Sequence, residues 1–81
     1  MADLDLLVSA IAAGDAAAFG QWVAGGEPRI RHSLASFASL VDTEAVVQET
    51  LLRIWQVAPR FKADDRPDGL LRLAVRIARN L

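Results

Sequence analysis

Residues 46–55, Val46-Val47-Gln48-Glu49-Thr50-Leu51-Leu52-Arg53-Ile54-Trp55, set the fold class of this chain. Val47, Thr50, Leu51, Ile54 and Ala58 recur at spacings of three and four, which places one apolar stripe along a helix. Glu44, Gln48 and Arg53 project elsewhere. The helix therefore has a face to bury and a polar face able to dock on another protein.

The same periodicity extends to both sides. Leu4, Leu7, Val8 and Ile11 predict a short amphipathic helix, which Gly14 stops and Asp15 restarts as an N-cap. The second helix begins near Ala16 and carries Ala18, Phe19, Trp22 and Val23. At Gly25-Gly26-Glu27-Pro28 a breaker cluster predicts a bend or an interruption. Ile30, Leu34, Phe37, Ala38 and Val41 continue a helical stripe to Asp42, which is placed to cap the next helix, and that helix ends before Pro59. Residues 59–67 form the one long polar connection. A last helix follows, with Pro67 in its first turn, Leu70, Leu73, Ala74, Ile77 and Leu81 facing inward, and Arg72, Arg76, Arg79 and Asn80 on the opposite side. Alternating β-branched runs with hairpin turns are missing. The expected fold is all-α, a compact bundle of about four helices in one domain spanning residues 1–81.

Composition narrows the function classes. A chain of 81 residues supports a single marginal core, and with no cysteine neither a disulfide nor a thiolate metal site can supplement it. There is no apolar run of about eighteen residues. Asp3 and Asp5 stand where a signal peptide would be basic, so the expectation is a soluble, cytoplasmic protein without membrane contact. The net charge of −1 conceals a division: residues 1–49 hold two basic residues against seven carboxylates, and residues 50–81 hold seven against three. A basic second half suits a polyanion, although a solvated helix face accounts for the charge equally well. His32, the single histidine, has no companions for catalysis or metal binding, and Asp64 with Asp65 offers too few oxygens for a hard cation. No catalytic residue, metal site or cofactor is expected.

The 46–55 stretch resembles region 2 of bacterial RNA polymerase sigma factors, specifically the extracytoplasmic-function group, whose helix commonly reads Asp-x-Glu-Asp-Leu-Val-Gln-Glu-Thr-Phe-Leu-Arg-x-Trp. Residues 76–81, Arg-Ile-Ala-Arg-Asn-Leu, and residues 13–19, Ala-Gly-Asp-Ala-Ala-Ala-Phe, are similar to two further family strings in the same order. The resemblance implies that Gln48 and Glu49, supported by Glu44 and Arg53, contact the clamp coiled coil of the largest polymerase subunit. It also implies that Phe61, Lys62, Arg66, Arg72, Arg76, Arg79 and Asn80 engage promoter DNA, especially the single-stranded non-template minus-ten element. In the family, the loop before the last helix pockets an extruded base. An amide can read a base edge, arginines neutralise phosphates, and an aromatic can stack a base; Phe61 suits a plug at the bundle end equally well.

The chain departs from the family at several positions. Ala45 stands where an aspartate usually faces the clamp. Leu70, Leu73 and Val75 stand where Phe, Trp and Tyr are typical, and Gly25-Gly26 replaces residues that usually continue a long helix. The chain stops at Leu81 without the second, region 4 domain, which reads as a fragment of a longer protein. The departures keep open an alternative, a sigma-like module that binds an anti-sigma factor without melting DNA. A purely structural helical bundle is a third reading.

Overall fold

Two aspartates start the two long helices. Asp15 Oδ1 accepts the Ala18 N–H at 3.0 Å and opens α2 (Ala16–Ser33); Asp42 Oδ1 accepts the Ala45 N–H at 3.1 Å and opens α3 (Thr43–Val57). Each cap satisfies an otherwise orphaned amide and is worth about 1 kcal/mol. Ahead of them, a 3-10 turn (Leu4–Leu7) runs into the short α1 (Val8–Ala12), which ends at Gly14 with a φ of +92°, a conformation open to glycine. After α3 the chain tightens into a second 3-10 turn (Ala58–Arg60) and then enters α4 (Gly69–Arg79). The computed structural model describes residues 4–35, 42–64 and 66–81, and among these there is no strand. The protein is an all-α bundle, with four α-helices among the described residues. Phe37, Ala38 and Val41, expected on a helical stripe, lie outside the described residues.

α4 packs on both α2 and α3, while α1 packs on α2 and on the second 3-10 turn. The shared core consists of Ile11, Ala18, Trp22, Ile30, Leu34, Val47, Ile54, Ala58, Leu70, Leu71, Ala74 and Ala78, all nearly or fully buried. Thr50 is the one polar residue in this core among the described residues, and its hydroxyl donates to the Val46 carbonyl at 2.7 Å, so its burial leaves no orphan. Phe19 links the long helices. Its ring lies 6.0 Å from Trp22 in a stacked pair and 5.0 Å from Trp55 in a tilted one.

Of the bend or interruption expected at residues 25–28, the interruption does not occur, because α2 continues through Pro28 to Ser33. Pro28 and the two glycines together disfavour helix by about 5 kcal/mol. Burying Trp22 and Ile30 on the helix and Leu34 at its C-cap contributes about 1.5–3 kcal/mol each, so tertiary packing offsets the local cost. The glycines also serve packing. A Cβ on Gly25 would lie 2.7 Å from Leu4 Cδ2, and one on Gly26 would lie 3.2 Å from Leu71 Cδ1, so their bare backbone is the seat for the N-terminal turn and for α4.

α4 differs from its sequence reading in register. Leu70, Leu71, Ala74 and Ala78 are buried, Leu73 and Ile77 are half-buried, and Leu81 is 49% exposed. The helix starts at Gly69, which puts Pro67 before it, and Asp68 at its N-cap adopts a left-handed φ of +58°. No helix among the described residues is long and apolar enough to cross a membrane.

Continuity of α2 can be tested at Pro28, which is exposed. Pro28→Ala restores one helical hydrogen bond and removes a clash, a gain of about 3 kcal/mol, reduced by about 1 kcal/mol for the freer unfolded chain. Urea denaturation should show a net stabilisation of about 2 kcal/mol. A destabilised variant would mean that the helix breaks there.

Candidate functional site

The exposed side of α3 is set by the same periodicity that buries Val47, Thr50 and Ile54. Glu44, Ala45, Gln48, Glu49, Leu52 and Arg53 face outward. Two of the four predicted polymerase contacts are joined to each other: Arg53 Nε donates to Glu49 Oε2 at 3.0 Å. Glu44 instead reaches across to α2, where Arg31 bridges it and Glu27; the contacts are 2.5 Å to Glu44 and 2.6 Å to Glu27. The Arg31 guanidinium holds the Glu44 carboxyl below the usual carboxylate range, and the two glutamates raise Arg31. Glu44 is thus engaged within the domain, whereas Gln48 makes no side-chain hydrogen bond among the described residues. Beside this polar strip, Ala16, Phe19, Leu51, Leu52 and Trp55 line a shallow apolar depression, and Leu52 is 51% exposed.

The polar connection between α3 and α4 is organised by Arg72. Its Nε donates to the Pro67 carbonyl at 3.0 Å. Nη2 donates to Asp64 Oδ1 at 2.8 Å and to the Arg66 carbonyl at 3.3 Å. Asp64 Oδ1 also accepts the Arg66 N–H at 2.9 Å, closing a local turn. Arg72, expected from the resemblance to face DNA, has most of its donors turned inward onto this loop. Its partner Asp64, which the sequence offers only as an insufficient cation ligand, is the other half of the clasp. Phe61 is half-buried against the core, and the end of its ring lies where a Cβ on Gly69 would come within 2.9 Å. It also lines a cleft of about 330 Å³ together with Asp5, Val8, Ala63, Asp64, Arg66, Pro67 and Gly69. Phe61 thus both packs on the bundle core and lines the cleft.

Lys62, Arg66, Arg76 and Arg79 are exposed. Among the described residues Lys62, Arg66 and Arg76 make no ion pair. Asn80 caps the end of α4, with Nδ2 donating to the Arg76 carbonyl at 2.9 Å. From Gly69 to Asn80 is about 16 Å at helical rise. Arg76, Arg79 and Asn80 share the C-terminal part of α4, and the cleft lies at its N-terminal end, lined by Gly69. His32 is exposed near the end of α2 and lines no part of the cleft. Among the described residues no group of three or more His, Cys, Asp or Glu side chains gathers as a metal site would require.

Sequence reasoning missed Asp5 and Gly69. Asp5 Oδ2 accepts the Asp68 N–H at 2.8 Å, and Asp68 in turn receives Arg29 Nη1 at 3.0 Å. These contacts join residues 63 and 39 positions apart, so no local pattern announces them.

Arg72, followed by the Arg66 amide, lowers the Asp64 carboxyl below its ordinary range. A lowered folded value means that the clasp stabilises the loop at neutral pH, and that this contribution is lost as pH falls through that value. In an acid titration followed by NMR, the Arg66 amide and Arg72 Nε resonances should move together with a midpoint below about 3.9. Independent movement, or a midpoint above that value, would contradict the clasp.

Protein-family models, curated proteins and solved structures were each compared with the chain, and none matches it.

Proposed function

We propose that this domain is a sigma region 2-like binding module for transcription initiation, without enzymatic activity. In this reading α3 docks on the clamp coiled coil of core RNA polymerase, and the loop with α4 engages single-stranded minus-ten DNA. The observation that supports it most is the surface around α4: a cleft lined by Phe61 and Arg66, an exposed Lys62 in the same loop, then exposed Arg76, Arg79 and a terminal amide along one helix. An aromatic wall suits a base, and a row of cations suits the phosphates on either side. The α3 strip contributes the second half of the reading. Gln48, Glu49 and Arg53 supply charge and amide groups at a helix surface, where they can fix register against a facing helix.

A second reading, a sigma-like module that binds an anti-sigma factor without opening promoters, is favoured by the apolar depression around Leu52 and Trp55 and by the exposed Ala45. Under it, the α3 surface binds protein while the α4 surface is idle.

Calorimetry with the isolated clamp coiled coil separates the two. Binding by the parent that is lost in a folded Gln48→Ala, Glu49→Ala variant is the expected result. No binding by the folded parent, with tight binding to an anti-sigma factor, would favour the second reading. On the DNA side, Lys62→Ala with Arg76→Ala should weaken binding to single-stranded DNA and flatten its log–log salt slope by about 1.4, two phosphates at about 0.7 each. An unchanged slope would remove both residues from the phosphate contacts.

A further inference from the structure

Of the ion pairs among the described residues, Arg72 with Asp64 is the one whose members both lie in the basic second half of the chain. A carboxylate thus takes up positive charge in the segment that holds seven basic residues against three acidic ones. Two donors converge on one of its oxygens: Arg72 Nη2 at 2.8 Å and the Arg66 N–H at 2.9 Å both reach Asp64 Oδ1. Arg72, followed by the Arg66 amide, holds this carboxyl below its ordinary range, so it is a full anion at neutral pH. A guanidinium nitrogen and a backbone amide aimed at one anionic oxygen are the donors that a phosphate oxygen accepts from.

The pair is open to exchange. The Asp64 side chain is 56% exposed and that of Arg72 is 34% exposed, so an anion from solution reaches both. Ion pairs this exposed hold weakly. The remaining hydrogen bonds of Arg72 go to neutral acceptors, the Pro67 carbonyl at 3.0 Å and the Arg66 carbonyl at 3.3 Å, which orient the guanidinium without offsetting its charge. When Asp64 turns outward, those carbonyls keep Arg72 in place. Its charge is then uncovered beside the exposed Arg66, which makes no ion pair among the described residues.

We infer that Asp64 is an autoinhibitory latch: its carboxylate occupies the place on Arg72 that a phosphate of a bound strand takes, and the strand gains this contact only by displacing it. The inference rests on the promoter-binding reading and adds an internal competitor to it. Arg72 is the cation withheld, and Asp64 acts through Arg72 rather than on the strand.

The test is the salt dependence of strand binding by the 81-residue protein, read by fluorescence anisotropy with a short labelled oligothymidylate. Asp64→Ala should tighten binding at low salt by about threefold. It should also steepen the log–log salt slope by about 0.7, the share of one further phosphate on a single strand. In an Arg72→Ala background the same substitution should leave the slope where it was, because the withheld cation is gone. An unchanged slope in Asp64→Ala overturns the inference. So does an equal increase with and without Arg72, since Asp64 then repels the strand directly. In both cases the strand still binds and the promoter reading stands. If neither the parent nor Asp64→Ala binds, the promoter reading fails and the inference fails with it. The unaltered protein gives a check that does not depend on how the variants fold. As the strand is added, the NMR resonances of Arg72 Nε and the Arg66 amide should move together in step with binding, and a stationary Arg72 Nε overturns the latch.

Discussion

Everything in this domain depends on burying one continuous apolar spine between α2, α3 and α4. The chain has no cysteine with which to cross-link itself, and its surface ion pairs lie in water, where such pairs contribute little. Burial of Trp22, Ile30, Val47, Ile54, Leu70 and Leu71 has to offset most of the ordering entropy. That demand explains why α2 tolerates two glycines and a proline in its interior. Continuity of the helix through Pro28 carries Ile30 and the following Leu34 into the spine.

The same constraint positions the functional surface. α4 must present Leu70, Leu71, Ala74 and Ala78 to the spine, so its remaining sides are fixed, and Arg76, Arg79 and Asn80 are left facing water. The loop ahead of it is then shaped by three tethers. Arg72 gathers Asp64, Arg66 and Pro67; Asp5 holds the Asp68 amide; and Phe61 rests where Gly69 lacks a side chain. The N-terminal turn that carries Asp5 seats Leu4 against Gly25, so the glycine pair also supports one wall of the cleft.

Charge follows a similar economy. Four arginines, at 29, 31, 53 and 72, are paired with carboxylates, while Lys62, Arg66 and Arg76 make no ion pair among the described residues and stand along the loop and α4. The excess of positive charge in the second half of the sequence is therefore a weaker guide than its distribution. Arg72 illustrates the difference, since by sequence it belongs to a basic face and in the fold its charge offsets that of Asp64.

The sequence by itself determined what depends on near neighbours along the chain. The helical class, the caps at Asp15 and Asp42, the stop at Gly14 and the buried stripe Val47, Thr50, Ile54 and Ala58 all follow from spacings of three and four residues, over which backbone geometry is fixed. The Gln48, Glu49 and Arg53 face was legible for the same reason. Only the tertiary structure decided whether α2 breaks at Pro28, because local propensity opposes continuity there and burial favours it. It also decided which rows of α4 are inside, since Leu70, Leu71, Leu73 and Ile77 are equally apolar and the packing of two neighbouring helices chooses among them. The cleft, finally, is built from contacts such as Asp5 with Asp68, 63 residues apart, and pairings at that distance are set by how the helices pack, which no local repeat in the sequence encodes.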